Sequence, residues 1–177
     1  MEIRHKLGVA DARAALVSDE QYGVAVRDLV RGCVHRCLAS LFIVDPTPAN
    51  DGDLVVDALL HDLAGAQWRG ADVRLLIGGS RENGRIRDAT LLGRARAQQL
   101  GVEARLLAAR DQRSDHTKVV VVDDTVLVGS HNWSAGALTG QTQDSVLIQD
   151  RNLAAYFTHR FESRWRNGLE GGFHVSR

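Results

Sequence analysis

Four polar residues near the middle of the chain fall into two pairs with the same spacing. His116 and Lys118 are two positions apart, and so are Ser130 and Asn132. In an extended segment, side chains two positions apart leave the same face. If the fold brings the two pairs together, an imidazole, an ammonium group, a hydroxyl and a carboxamide meet in one place.

These four groups suit the cleavage of a phosphodiester. The ammonium, hydroxyl and carboxamide can donate hydrogen bonds to the nonbridging oxygens while the imidazole attacks phosphorus. The set lacks the clustered carboxylates and histidines of a metal site, so we expect no metal ion and no other cofactor. Cys33 and Cys37 do not change this expectation, because a zinc site needs more ligands at closer, paired spacing.

A hairpin is the element that would bring the two pairs together. Residues 118–122 and 125–128 are short apolar runs, and the two aspartates between them indicate a tight turn. The first polar pair stands at the entrance to the first strand, and the second pair follows the second strand. The hairpin therefore returns the second pair to the side of the first.

The rest of the chain alternates between helical and extended patterns. Helices are predicted over residues 22–35, 54–70, 86–100 and 153–165, and strands over residues 38–44, 73–77, 102–107 and 145–148. This alternation predicts an α/β fold with a mixed, mainly parallel sheet flanked by helices. We expect a single catalytic domain over residues 18–177, preceded by an arm or an extra helix over residues 1–17.

Composition limits the class of protein without identifying its function. The 177 residues carry no formal net charge, and the apolar and charged fractions, 44% and 25%, are those of a globular domain. No apolar run approaches the roughly 20 residues that span a bilayer, and no charged and apolar leader opens the sequence. We therefore expect a cytoplasmic protein.

The spacing of the polar residues resembles the signature of the phospholipase D superfamily. His116-Thr117-Lys118, followed by four residues and Asp123, matches H-x-K-x4-D, and Gly129-Ser130-His131-Asn132 matches G-S-x-N. The order of elements over residues 22–165 also agrees, so the resemblance covers about four-fifths of the chain. It implies a phospholipase D-like domain built around the catalytic hairpin.

The resemblance also implies a mechanism and a partner. His116 would attack phosphorus to form a phosphohistidine, with Lys118, Ser130 and Asn132 as the other catalytic groups. A second motif would protonate the leaving oxygen, and this sequence contains only one motif. The resemblance therefore implies a homodimer whose two copies complete one active site. Asp123 is expected to stabilise the hairpin turn, and Gly129 is likewise a structural residue of the motif.

Two departures from the family pattern concern the surroundings of the nucleophile. Five residues separate Asp123 from Gly129, where the family usually has six, so the hairpin tip is one residue tighter. The family also places an acidic residue about 13 positions after the motif serine, where it hydrogen-bonds the histidine; here that position is Gln143. A one-residue bulge would bring the adjacent Asp144 into this role, so both residues remain candidates.

An arginine-rich stretch before the catalytic strand bears on the substrate. Residues 81–113 contain eight arginines against four acidic residues. Guanidinium groups recognise phosphates well, and Arg85, Arg87, Arg110 and Arg113 are the candidate substrate-binding residues. The alternative interpretation is a solvated, arginine-rich helix face without a binding role.

Three functions remain open at this point. The first is a metal-independent endonuclease or phosphodiesterase acting on DNA or RNA, which the arginines favour. The small size of the chain and its single motif also resemble the bacterial nuclease branch of the superfamily. The second is a phospholipid phosphodiesterase, which the lack of an amphipathic anchor and of a lysine-rich surface segment disfavours. The third is a catalytically weak module that binds nucleic acid, for which Gln143 in place of an acid is the support in the sequence.

Overall fold

The structure is a computed structural model that describes residues 12–48, 54–80, 83–107 and 115–169. In these residues the elements are β1 Arg13–Ser18, α1 Gln21–Arg31, β2 Arg36–Leu41, α2 Val55–Trp68, β3 Asp72–Ile77, α3 Gly84–Gln99, β4 Glu103–Leu107, β5 Val119–Val122, β6 Thr125–Gly129, α4 Ala135–Thr139, β7 Asp144–Gln149, α5 Arg151–Trp165 and β8 Gly168–Leu169. The predicted helices and strands are all found, while α4, β1 and β8 are additions.

The strands form one mixed sheet in the order β1-β7-β6-β5-β2-β3-β4-β8. The predicted α/β class, with a mixed sheet flanked by helices, is confirmed. The prediction that the sheet is mainly parallel was wrong, because only the pairs β2–β3 and β3–β4 of the described strands are parallel. The strands β2, β3 and β4 are parallel because a helix connects each of them to the next. In contrast, β5, β6 and β7 are sequential neighbours that pair antiparallel.

The beginning of the described chain is part of the sheet. Residues 13–18 form β1, an edge strand that pairs antiparallel with β7, from Arg13 opposite Gln149 to Ser18 opposite Asp144. The expectation of an arm or helix over residues 1–17 is therefore wrong for residues 13–17, and residues 1–11 lie outside the described part. The strand was missed because Arg13, Ala14, Ala15 and Leu16 are all exposed and carry no alternating pattern.

Helices cover the sheet on both faces. α1, α2 and α3 pack on one face, where the larger apolar cluster lies, and α5 packs on the other over a smaller cluster. The side chains of β5 alternate between the two clusters: Val120 and Val122 belong to the larger one, and Val119 and Val121 to the smaller one. All four are buried, which explains why β5 reads as a continuous apolar run.

Asp123 fixes the tip of the hairpin formed by β5 and β6. Its backbone is in the left-handed region, with φ of 49°. Its carboxylate accepts hydrogen bonds from the backbone N–H groups of Val34, His35 and Arg36, each at 2.9 Å. Burial raises the pKa of Asp123, but these three bonds outweigh it and hold the pKa below its ordinary value. The turn is thereby tied to the loop that precedes β2.

Candidate active site

The candidate active site lies where three neighbouring strands end. β2 ends at Leu41, β5 begins at Val119 and β6 ends at Gly129. β5 pairs antiparallel with both β2 and β6, so these three ends meet at the same edge of the sheet. The N–H of Gly129 donates to the carbonyl of Lys118 at 3.3 Å, which places the two motif segments side by side.

His116 and Lys118 form a compact pair at this edge. The Lys118 Nζ lies 2.9 Å from His116 Nδ1 and 3.5 Å from Nε2, and it donates to the His116 carbonyl at 2.9 Å. Lys118 is 7% exposed, whereas His116 is on the surface. The pair therefore offers an accessible imidazole supported from beneath by a buried ammonium group.

Phe42 forms the apolar wall of this pair. Its ring centroid lies 4.3 Å from that of His116, and the Lys118 Nζ is 5.2 Å from the same ring. Phe42 is buried and follows directly after β2, so the core of the sheet holds the ring in position. Sequence reasoning did not identify it, because Phe42 lies within the apolar run predicted as a strand over residues 38–44, and such a residue carries no chemical signal.

Burial controls the protonation of the pair. Desolvation, followed by the charge of Lys118, lowers the pKa of His116, while Asp115 opposes the change. Desolvation also lowers the pKa of Lys118, again with Asp115 acting in the opposite direction. A lowered pKa keeps the imidazole neutral at neutral pH, which is the form that can attack phosphorus.

The second polar pair lies at the end of β6. The Ser130 hydroxyl donates to the backbone carbonyl of Asp144 at 3.2 Å and accepts from the Asp144 N–H at 3.3 Å. The Asn132 Oδ1 accepts from the N–H of Ile43 at 3.2 Å, in the segment that follows β2. This bond orients the carboxamide and leaves its nitrogen as the group that can donate to a phosphate.

The two candidates for the supporting acidic residue are engaged elsewhere. The Asp144 carboxylate accepts from the Ser18 hydroxyl at 2.6 Å. The Gln143 amide nitrogen donates to the Gln141 side chain at 3.0 Å and to the Ala137 carbonyl at 3.4 Å. Among the residues that the structure describes, neither side chain has a hydrogen bond to His116, so the choice between them stays open.

Asp115 is an acidic residue next to His116 that sequence reasoning did not single out. Its carboxylate accepts from the Arg164 guanidinium of α5 and from the N–H of Thr117, the latter at 3.0 Å. Arg164 also donates to the Ser40 hydroxyl at 2.8 Å. The pair joins residues 49 positions apart, and sequence spacing alone cannot reveal such a contact.

Two glycines allow the backbone to pack closely at the site. A Cβ on Gly129 would collide with Ser145 and with the Asp144 carbonyl of the neighbouring strand. A Cβ on Gly78, which follows β3, would collide with the Asp115 carbonyl. The motif glycine thus permits the close pairing that brings Ser130 to β7, and Gly78 permits the approach of the segment that carries His116.

His131 and Trp133 face the core, not the candidate active site. His131 is fully buried, stacks on Tyr22 with ring centroids 4.2 Å apart, and lies 2.8 Å from the Ser145 hydroxyl through its Nδ1. Trp133 is also fully buried, and its N–H donates to the Tyr22 hydroxyl at 3.4 Å. Both side chains stabilise the segment on which Asn132 lies.

The candidate substrate-binding arginines are only partly described. Arg85 and Arg87 lie in the first turn of α3, which follows the end of β3 at the same edge of the sheet as His116. Arg85 is exposed, and Arg87 forms a surface ion pair with Asp88 at 3.1 Å. Arg110 and Arg113 lie outside the described residues.

Two further features concern the described residues only. They contain no group of three or more histidines, cysteines, aspartates or glutamates that could hold a metal ion. None of their helices combines the length and the apolar character that a membrane crossing needs.

An α/β domain with H-x-K and G-S-x-N at the ends of neighbouring strands defines a phosphodiesterase of the phospholipase D type. The family model described as "Cardiolipin synthase, PLD-like domain" matches residues 40–165. The chain therefore belongs to the phospholipase D superfamily, as its sequence motifs predict.

Three solved structures share the fold of this chain. Nuc from Salmonella typhimurium, a phospholipase D family member, is 22% identical with a TM-score of 0.72, over 90% of this chain and 97% of that one. NucT from Helicobacter pylori is 13% identical with a TM-score of 0.69, over 92% and 100%. TrmBL2, an archaeal chromatin protein that binds DNA, is 16% identical with a TM-score of 0.57, over 90% and 54%. No curated protein matches the sequence.

Proposed function

We propose that this protein is a metal-independent endonuclease that hydrolyses nucleic-acid phosphodiester bonds through a phosphohistidine on His116. The observation that carries the proposal is the pairing of an exposed imidazole with a buried ammonium group, Lys118, at 2.9 Å. A lysine is rarely buried without an anion to meet, and a phosphate bound beside His116 would be that anion. The roles of Ser130 and Asn132 in binding the phosphate belong to the same proposal.

The reaction would proceed in two displacements. A nitrogen of neutral His116 attacks phosphorus, the bond to the leaving oxygen breaks, and a second imidazole, which is protonated before the step, gives that oxygen its proton. The second imidazole then takes a proton from water, whose oxygen attacks phosphorus and releases His116. Lys118 and the Asn132 amide nitrogen would stabilise the charge on the nonbridging oxygens in both steps. Ser130 would do the same once its hydroxyl proton turns from the Asp144 carbonyl to the phosphate.

The second imidazole would come from another copy of the chain. The sequence has one H-x-K motif, and His116 is accessible on the surface of the single chain. A two-fold symmetric dimer would bring both copies of His116 to one phosphate, one acting as nucleophile and the other as acid. Exposure of the imidazole in one copy is what such a shared site requires.

A nucleic acid is the substrate that the surrounding charge favours. The exposed Arg85 lies on the first turn of α3, at the edge of the sheet that carries His116. Residues 81–113 as a whole have eight arginines against four acidic residues, which suits a polyanionic backbone. DNA binding by TrmBL2, a neighbour in fold, is consistent with this choice.

A phospholipid is the second candidate substrate. The matching family model carries cardiolipin synthase in its description, and the attack on phosphorus would be the same. A catalytically weak nucleic-acid-binding module remains the third possibility, because no acid is bonded to His116 among the described residues.

One parallel assay separates these functions. Purified protein in EDTA is incubated with plasmid, single-stranded DNA, RNA and vesicles of cardiolipin or phosphatidylcholine. We expect cleavage of a nucleic acid that is lost in His116→Ala and retained in His159→Ala, a matched exposed histidine on α5. Cleavage of lipid alone would favour the phospholipid function. Binding of nucleic acid without cleavage would favour the third possibility, and arrest by EDTA would contradict metal independence.

A further inference from the structure

Asp115 is held in place from three directions. Its carboxylate forms an ion pair with Arg164 of α5, in which the side chains are only 14% and 20% exposed. The same carboxylate accepts the N–H of Thr117 at 3.0 Å, which fixes the backbone on either side of His116. Its carbonyl lies against Gly78 at a distance that leaves no room for a Cβ. Asp115 is therefore a rigid part of the segment that presents His116.

Arg164 is itself fixed, so the ion pair has a defined geometry. Its guanidinium donates to the Ser40 hydroxyl at 2.8 Å as well as to Asp115. Ser40 is a buried residue of β2, and Arg164 belongs to the last turn of α5. The pair thus joins α5, β2 and the catalytic segment, and little freedom is left to the carboxylate.

Lys118 needs an anion when no substrate is bound. Its ammonium group is buried against Phe42 and the His116 ring, where burial destabilises the charged form. Among the residues that the structure describes, Asp115 is the acidic residue whose charge acts on both His116 and Lys118, and in each case it opposes the effect of burial. The side chains of Gln143 and Asp144 are bonded to other residues.

We infer that Asp115, anchored by Arg164, is the positioning residue of this active site. It supplies the negative charge that the family pattern expects from an acidic residue about 13 positions after the motif serine. It fixes residues 115–118 through the Thr117 N–H and compensates the buried ammonium of Lys118. It does not touch the reacting atoms. This inference rests on the proposed function, because a positioning residue has a role only if His116 performs the reaction.

The test removes the charge and keeps the hydrogen bond. Asp115→Asn retains an oxygen for the Thr117 N–H. Glu162→Gln is the matched control, because Glu162 lies on α5 two positions before Arg164 and pairs with Arg74 of β3. The His116 imidazole is titrated by NMR in the full-length protein, with its signal assigned by its loss in His116→Ala. This measurement needs no substrate and no activity.

We expect the pKa of His116 to be lower in Asp115→Asn than in the native protein and unchanged in Glu162→Gln. In the described part of the chain, the charged groups acting on the imidazole are Lys118 and Asp115. Arg164 loses its carboxylate partner in the variant, so the loss of the Asp115 charge and the unpaired guanidinium both lower the pKa of His116. For the same reason the alkaline limb of kcat/KM should move to lower pH, since Lys118 loses its proton more readily. At neutral pH, kcat should fall by about 10- to 100-fold.

The outcomes distinguish this inference from the proposed function. An unchanged pKa of His116 in folded Asp115→Asn would overturn the inference and leave the proposed function standing. A fall in activity without a shift in the pH profile of kcat/KM would do the same. Native activity in His116→Ala would overturn the proposed function whatever Asp115 does. If Asp115→Asn does not fold, Asp115→Ser also keeps an oxygen for Thr117 without the charge, and the same expectations apply to it.

Discussion

At the scale of single residues, the candidate active site combines an exposed imidazole with buried neighbours. His116 is accessible, while Lys118 and Phe42 beneath it are buried. Burial lowers the pKa of both the imidazole and the ammonium group. The lowered pKa favours the neutral form of the imidazole, which is the form that can attack phosphorus. The same burial destabilises the charged form of Lys118. We therefore expect the charge of Lys118 to favour activity and to lower the stability of the fold.

The variant Lys118→Met tests this opposition. Methionine keeps most of the side-chain volume and removes the charge, so we expect loss of activity together with an unfolding free energy that is unchanged or higher by about 1 kcal/mol. Measurements are the cleavage rate and chemical denaturation of both proteins. A fall in stability of several kcal/mol would show that the ammonium stabilises the fold, contrary to the prediction.

The pH dependence of that stability difference has a definite sign. Because the pKa of Lys118 is lower in the folded protein than in the unfolded chain, the folded state binds the proton more weakly. The native protein should therefore gain stability relative to Lys118→Met as the pH rises through the folded pKa towards the unfolded value near 10. Denaturation at several alkaline pH values measures this trend.

At the scale of elements, the hairpin does the positioning, and much of it could be predicted. Two apolar runs with two aspartates between them define β5 and β6, and the spacing of the motif residues puts their polar ends together. Contacts between distant segments could not be predicted. Asp144 turns to Ser18, which is 126 positions away, because residues 13–18 form a strand that carries no apolar alternation.

Other elements escaped prediction for similar reasons. The number of parallel strand pairs depends on the order of the strands in the sheet, for example on the positions of β1 and β7. Local periodicity predicts the strands but not their order. The sequence predicts that Arg164 lies on a helix, but it does not predict that its partner is Asp115. The two residues come into contact only because α5 packs on the sheet. The two candidate pairs consist of residues close together in the sequence, whereas the contacts that hold them in place join residues far apart in the sequence.

Asp123→Asn is a test of the hairpin at this scale. Asparagine tolerates the positive φ but replaces one acceptor oxygen by an NH2 group facing a backbone N–H, so we expect a loss of about 1–3 kcal/mol in unfolding free energy at neutral pH. The exposed neighbour in Asp124→Asn is the control, because its partner is the exposed Arg151.

The stability difference between the native protein and Asp123→Asn should also depend on pH, but in the acid range, not in the alkaline range as for Lys118→Met. The pKa of Asp123 is lowered in the folded protein, so its contribution is present above the unfolded value, about 4, and is lost as the pH falls through the folded pKa. The difference between native protein and Asp123→Asn should shrink in acid. A difference that grows below pH 4 would contradict the role given to this carboxylate.

At the scale of the whole molecule, the proposed active site is larger than one chain. A shared site predicts that specific activity falls on dilution in parallel with dissociation of the dimer, which sedimentation and rate measurements at matched concentrations can compare. It also predicts that an excess of His116→Ala, added to a fixed amount of native protein, lowers activity by forming hybrid dimers with one nucleophile. An excess of His159→Ala should have no such effect. Constant specific activity in a proven monomer would contradict the shared site.

The covalent step on His116 is tested most directly by trapping the intermediate. Native protein is mixed in EDTA with an excess of the nucleic acid that it cleaves, quenched in alkali within one turnover to preserve a phosphohistidine, and analysed by peptide mass spectrometry. We predict a substrate-derived phosphoryl adduct on the peptide that contains His116, and no adduct in His116→Ala. Rapid cleavage with no adduct on His116, or with the adduct on another residue, would contradict the proposed mechanism.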